Sequence, residues 1–267
     1  MTTPELSAES LCVGYEKRCV IDGFDLEVAS GEFTAIIGPN ACGKSTLLKA
    51  LARLLPASAG RVVLDGRPIH DHKTVEVAKV LGLLPQHTTV AEGIRVADLV
   101  SRGRFAHQRF LRRWNEKDTL AVEEAMRDAK VSDLATRVVD ELSGGQRQRV
   151  WLATVLAQQT PLLLLDEPTT YLDINHQLEV MELCSQLNRR GRTVVTVLHD
   201  LNHAARFATH VVAMREGRLV AQGPPAEVLT PDLLAEVFAI EAQVLTDPVT
   251  GGPLVVAIRP LPKKENL

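Results

Sequence analysis

An α/β fold built on a mainly parallel sheet is predicted by three features of this 267-residue sequence. Short apolar runs recur along it at Phe33 to Ile37, Val80 to Leu84, Leu162 to Leu165, Thr193 to Leu198 and Val211 to Met214. Unbroken runs of this length suit strands covered on both faces, as parallel strands are. Helical patterns separate most of these runs. The apolar stretches are also far shorter than the about 20 residues a bilayer span needs, so no transmembrane segment is expected.

The elements follow in order. After Phe33 to Ile37 comes a glycine-bounded loop, Gly38 to Gly43, and then Leu47, Leu48, Leu51, Leu54 and Leu55 repeat at helical spacing until Pro56 stops them. From about Thr88 to Thr160 the strand signal vanishes and helices are expected, including Glu116 to Lys130 and Gln146 to Gln158. This reads as an all-helical insertion. Thr230 and Pro231 form a cap and first-turn pair opening a short helix to Phe238. Ala242 to Thr246 and Leu254 to Ile258 then read as a hairpin around Gly251 and Gly252.

Composition narrows the function. Hydrophobic residues make up 45% and charged residues 24%, which is a globular balance. A formal net charge of −3 with 4% aromatics gives no electrostatic footprint for a polyanion and little surface for base stacking, so nucleic acid is not an expected partner. Cys12, Cys19, Cys42 and Cys184 show no zinc spacing and read as free thiols. Met1 to Ser10 contain neither a basic region nor an apolar one, so no secretory signal is expected there. One basic stretch stands out, Arg102 to Lys117, with Arg104, Arg109, Arg112 and Arg113 against the single acid Glu116.

Three clusters carry chemistry. Gly38-Pro39-Asn40-Ala41-Cys42-Gly43-Lys44-Ser45-Thr46 matches the phosphate-loop pattern between a predicted strand and a predicted helix. Glycines let backbone N–H groups turn toward phosphates and the helix N-terminus favours anions. Lys44 can reach the β and γ phosphates, and the Ser45 hydroxyl can ligate Mg²⁺. Asp166 and Glu167 end the buried run Leu162 to Leu165, which suits Asp166 as the Mg²⁺ carboxylate and Glu167 as the group that polarises water. Leu142-Ser143-Gly144-Gly145-Gln146 precedes a helical segment, so Ser143 and the glycine amides make a second anion site.

The LSGGQ sequence, together with the loop and the two acids, resembles the ATP-binding subunits of ABC transporters. The remaining landmarks occur in order: Gln86 after Leu84-Pro85, Tyr171-Leu172-Asp173 after Glu167, and His199 after Thr193 to Leu198. The resemblance implies a P-loop ATPase core of the ABC type with an N-terminal antiparallel β-subdomain. Residues 1–87 and 161–267 would form that core, and residues 88–160 the helical subdomain carrying LSGGQ. It implies ATP and Mg²⁺ as ligands, Tyr15 stacking on adenine, and Gln86 sensing Mg²⁺ and the attacking water while contacting the membrane subunit. His199 would bind the γ-phosphate and orient Glu167, and Asp173 would link two ATP sites across a dimer. Ser143 to Gln146 would bind the γ-phosphate held by a second copy of the chain. Two positions depart from the family pattern: Ala41 replaces a usual glycine, and Tyr171 a usual small residue.

At this length a fused exporter or a tandem cassette is not expected. Gly103 to Asp118, Thr169 to Ile174, Leu198 to Asn202 and Asp247 to Leu254 resemble the ATPases of iron(III)–siderophore importers, above all the ferric enterobactin type. This implies a peripheral protein on the cytoplasmic face of the cell membrane, working with permease subunits and, indirectly, an extracytoplasmic binding protein. Alternatives are a haem or cobalamin importer, or a soluble ABC ATPase acting on nucleic acid. The basic stretch would then meet the permease or anionic headgroups, or remain solvated. Cys42, at a helix N-terminus beside Lys44, is either a reactive thiol or a small residue tucked under the loop. The spacing of His199 and His203 with Asp200 between them matches zinc proteases only in part, and no third ligand follows.

Overall fold

The computed structural model describes residues 4–262, apart from 17, 87, 90 and 108–113. The strands are β1 (Leu6–Tyr15), β2 (Arg18–Val28), β3 (Phe33–Ile37), β4 (Ala59–Leu64), β5 (Arg67–Pro68), β6 (Leu81–Leu84), β7 (Leu162–Asp166), β8 (Thr193–Val197), β9 (His210–Arg215), β10 (Arg218–Gly223), β11 (Ile240–Thr246) and β12 (Pro253–Pro260). The α-helices are α1 (Lys44–Leu51), α2 (Thr74–Val80), α3 (Val96–Ser101), α4 (Glu116–Asp128), α5 (Gly144–Leu156), α6 (Ile174–Arg189), α7 (Leu201–Phe207), α8 (Pro225–Val228) and α9 (Pro231–Phe238).

The central sheet has the order β10-β9-β3-β8-β7-β6. Its members from β9 to β6 run parallel, and β10 closes the edge antiparallel to β9. Alternate residues of one strand enter two different cores. Phe33, Ala35 and Ile37 join a core built with α3 to α7 and α9, whereas Ile36 joins one built with α1 and the antiparallel sheet β2-β1-β4-β5. The same division separates Leu163 and Leu165 from Leu162 and Leu164. Strands covered on both faces need apolar side chains at every position, which is why they read as continuous runs.

Helix boundaries differ from the sequence reading where caps intervene. The helix after Gly43 ends at Leu51 because Arg53 adopts a left-handed backbone (φ 62°) and Leu54 N–H bonds back to the Lys49 carbonyl at 2.8 Å. Such closure ends the hydrogen-bond ladder before the apolar pattern runs out. Helix α5 starts two residues earlier than expected, since Ser143 Oγ accepts the Gln146 N–H while Gln146 Oε1 accepts the Ser143 N–H. That reciprocal pairing satisfies two orphan donors of the first turn. Among the described residues between 88 and 160 there are helices and no strand.

Candidate functional site

Parallel strands deliver their carboxyl ends to one edge of the sheet, where ligands of open α/β folds bind. Here the Gly38–Gly43 loop leaves β3, Gln86 follows β6, Asp166 and Glu167 end β7, and His199 follows β8.

The loop is shaped by close approach. A Cβ on Gly38 would lie 2.3 Å from the Met214 carbonyl oxygen, and one on Gly43 (φ 109°) 2.8 Å from Ile21 Cδ1. Ala41 occupies the left-handed region at φ 61°, at the position where the sequence departs from glycine. Lys44 is buried at 5% exposure, and its ammonium donates to the carbonyls of Gly38 at 2.7 Å and Pro39 at 2.8 Å. Those carbonyls hold the Lys44 cation at the mouth of the loop.

Ser45 Oγ donates to Asp166 Oδ1 at 2.9 Å, and Asp166 is buried. Burial pushes the Asp166 carboxyl above the usual range, outweighing the Ser45 hydrogen bond that opposes it. The next residue, Glu167, has a left-handed backbone (φ 54°), which swings its side chain out of the strand line. Such a conformation costs about 1–3 kcal/mol and concentrates at functional positions. His199 Nε2 lies 2.6 Å from Glu167 Oε1, and Thr170 Oγ1 donates to Glu167 Oε2 at 3.2 Å. Burial alone would raise the Glu167 carboxyl, but hydrogen bonds from His199, Gln86 and Thr170 together hold it below the usual range.

These groups surround a cleft of about 660 Å³ lined by Asn40, Ala41, Gly43, Lys44, Ser45, Thr46, Gln86, Glu167 and His199, together with Val20, Thr170 and Tyr171. The sequence assigns none of the last three to the site. Tyr171 stands there as a landmark and a departure from the family pattern, while Thr170 carries a usable signal, since a hydroxyl three residues after a carboxylate on a tight turn can reach back to it. Val20 carried none, because only the packing of β2 against Gly43 brings it there.

Other expected residues lie elsewhere. Pro39, Cys42 and Gly38 belong to the loop without lining the cleft. Tyr15, at the end of β1, is half exposed and does not line it either. Ser143, Gly144, Gly145 and Gln146 cap α5 outside their own chain's cleft, and the Gly144–Gly145 backbone packs under Tyr171 and Leu172. Asp173 caps α6, its Oδ1 accepting the His176 N–H at 2.9 Å.

One expectation, on Arg104, is corrected, and the alternatives left open at Cys42 and His203 are narrowed. Cys42 is buried and burial raises its thiol pKa despite nearby Lys44, which supports the small residue tucked under the loop over the reactive thiol. Arg104, grouped with an exposed basic stretch, is buried and paired with Asp118 at 3.1 Å. Arg109, Arg112 and Arg113 lie outside the described residues. The His203 ring meets the Phe207 ring edge-on at 6.1 Å.

The comparisons with known proteins follow the same lines. Residues 21–170, more than half of the chain, match the family model described as ABC transporter. The ferric enterobactin transport ATP-binding protein FepC of Escherichia coli (strain K12) is 49% identical over 263 residues, covering 98% of this chain and 97% of the relative. A metal-chelate type ABC transporter in an inward-facing conformation superposes with TM-score 0.81 at 26% identity, covering 96% of this chain and 98% of that one. The bacterial ABC transporter cassette MJ0796, solved as a dimer, superposes with TM-score 0.75 at 27% identity, covering 82% of this chain and 98% of that one. This chain belongs to the ABC transporter family and is an ATP-hydrolysing cassette of that family.

Proposed function

We propose that this cassette drives uptake of iron(III)–siderophore through separate membrane permease subunits. The observation that carries the cargo is the 49% identity to the enterobactin relative across 98% of the chain. Among the described residues no helix is long and apolar enough to cross a membrane, and we assign translocation to the separate permease subunits. An extracytoplasmic binding protein would deliver the cargo.

In the proposed reaction Glu167, ionised and held by three donors, accepts a hydrogen bond from water and aims it at the γ-phosphate of ATP. His199 fixes Glu167 on one side and can donate to the γ-phosphate on the other. Lys44 exchanges its carbonyl partners for β and γ phosphate oxygens. Ser45 Oγ and Asp166 Oδ1, two hard oxygens 2.9 Å apart, fit Mg²⁺, which neutralises phosphate charge when bound. Gln86 touches Glu167 directly, which suits a residue that senses both the reaction and the permease.

Because Ser143–Gln146 stand outside their own cleft, we assign them to the nucleotide of a second copy, with Asp173 at the junction and Tyr15 at the adenine. That the similar cassette MJ0796 was solved as a dimer supports the pairing of two copies. In this scheme residues 88–160 form the arm carrying the second anion site, and residues 1–87 and 161–267 the ATPase core. The test is transport in vesicles holding the chain with its permease and binding protein. ATP-dependent accumulation of ferric siderophore that disappears with Glu167→Gln supports the reading, and accumulation of haem or cobalamin instead overturns the cargo.

A further inference from the structure

We infer that Asn202 is a positioning residue for His199, and that the C-terminal hairpin β11–β12 acts on hydrolysis through it. The side-chain amide of Asn202 pairs with one hairpin residue in both directions. Val255 N–H donates to Asn202 Oδ1 at 2.8 Å, and Asn202 Nδ2 donates to the Val255 carbonyl at 3.2 Å. Strand β12 has β11 on one side only, so its outward peptide groups face no strand. A side-chain amide carries one donor group and one acceptor in a plane, and at Val255 it takes the place of the missing neighbour. Val255 is buried at 8% exposure and shares a core with Ala204 and Ala205 of α7, while Asn202 is half-buried, so the pairing is partly shielded from water.

The other end of this short path is His199. Asp200 Oδ1 accepts the N–H groups of Asn202 at 2.8 Å and His203 at 3.0 Å, which fixes the turn immediately after His199. Before it, Leu198 N–H bonds to the Ile36 carbonyl at 3.1 Å, tying the end of β8 to the central sheet. His199 is thus held between the sheet on one side and a turn fastened to the hairpin on the other, with its Nε2 2.6 Å from Glu167 Oε1. Helix α7 has seven residues, and those it buries are Ala204 and Ala205. Leu201 and Phe207 pack partly buried against the same core, and the hairpin adds a paired polar contact that fastens the first turn of this helix from outside. The inference rests on the roles proposed above for His199 and Glu167.

The experiment is steady-state ATP hydrolysis by the full chain carrying Asn202→Ala, Val255→Pro or both, with Asn202→Asp and Glu167→Gln alongside. Val255→Pro removes the N–H that Asn202 accepts, and an edge strand tolerates proline where its N–H points outward. Small misplacements of a catalytic group are costly, so each single change is expected to lower kcat about tenfold with KM for ATP unchanged. The double variant should fall no further than the lower single one. Asn202→Asp keeps the acceptor and the shape but sets a carboxylate oxygen against the Val255 carbonyl in place of the donor, so its kcat should also fall below the parent. Parent-like kcat in the single variants, kcat and KM moving together, or fold-changes that multiply would each overturn the inference. If Val255→Pro does not fold, the isosteric Asn202→Asp decides, with parent-like kcat as the overturning result. Loss of activity in Glu167→Gln beside parent-like Asn202→Ala overturns only the role of the hairpin, whereas activity retained in Glu167→Gln overturns the chemistry on which it rests.

Discussion

His199 and Glu167 meet at 2.6 Å across the ends of neighbouring parallel strands, β8 and β7, and the contact holds a largely buried carboxylate in its ionised form. Glu167 should therefore limit chemistry and not binding. Glu167→Gln keeps the shape and loses the base, so ATP hydrolysis should fall by about 10²-fold or more while ATP affinity stays near that of the parent. Lys44→Ala should weaken nucleotide binding itself. Equilibrium binding of a fluorescent ATP analogue beside the hydrolysis rate separates the two, and near-normal turnover by Glu167→Gln would sink the assignment.

Thr170 offers a pH test. Its hydroxyl is one of the donors that lower the Glu167 pKa against burial, which raises it. Thr170→Val removes that donor, so the carboxyl should protonate at a higher pH. Glu167 acts deprotonated, and activity is lost as pH falls through its pKa. The acid limb of the kcat profile should move to higher pH in Thr170→Val with the plateau retained, and an unmoved limb would contradict this account.

Ala41 should respond to glycine. An L-residue in the left-handed region costs about 1–2 kcal/mol. Replacing alanine by glycine gives back about 0.4–1 kcal/mol through the more flexible unfolded chain. Relief is the larger effect at φ 61°, so Ala41→Gly should stabilise the fold by about 0.5–1 kcal/mol, read as a higher urea midpoint.

Cysteine labelling should follow burial and not sequence context. Cys19 is exposed, Cys42 is buried with a raised pKa, and burial pushes the Cys184 thiol up to about 12. A maleimide should modify Cys19 first and leave Cys42 and Cys184 unreacted in the folded protein, as read by peptide mass spectrometry. Rapid modification of Cys42 that ATP slows would restore the reactive alternative.

The buried Arg104–Asp118 pair should be structural. Arg104 Nη1 also donates to the Ala157 carbonyl at 2.9 Å and to Gln159 Oε1 at 3.1 Å. Arg104→Met leaves Asp118 charged and unpaired in the interior, at a cost of about 3–5 kcal/mol. Adding Asp118→Leu should recover part of that loss in urea unfolding, since it removes the unpaired charge but also the acceptor of the Asn115 N–H that caps α4.

The sequence by itself determined the parallel sheet, the glycine-bounded loop of phosphate-loop pattern, the paired acids and the Ser143-led start of α5. Each is written locally: a doubly covered strand needs an unbroken apolar run, and a phosphate loop needs its glycines at fixed spacing. The antiparallel sheet β2-β1-β4-β5 was legible only through family resemblance, because its strands are half-exposed and broken by register shifts. Tertiary structure alone decided the rest. It turned Arg104 inward, sank Cys42 beneath the loop, brought Val20 and Thr170 to the cleft and joined Asn202 to Val255, 53 residues away. Charge, reactivity and partnership at these positions follow from which surfaces exclude water together, and residues distant along the chain set that when the two cores close.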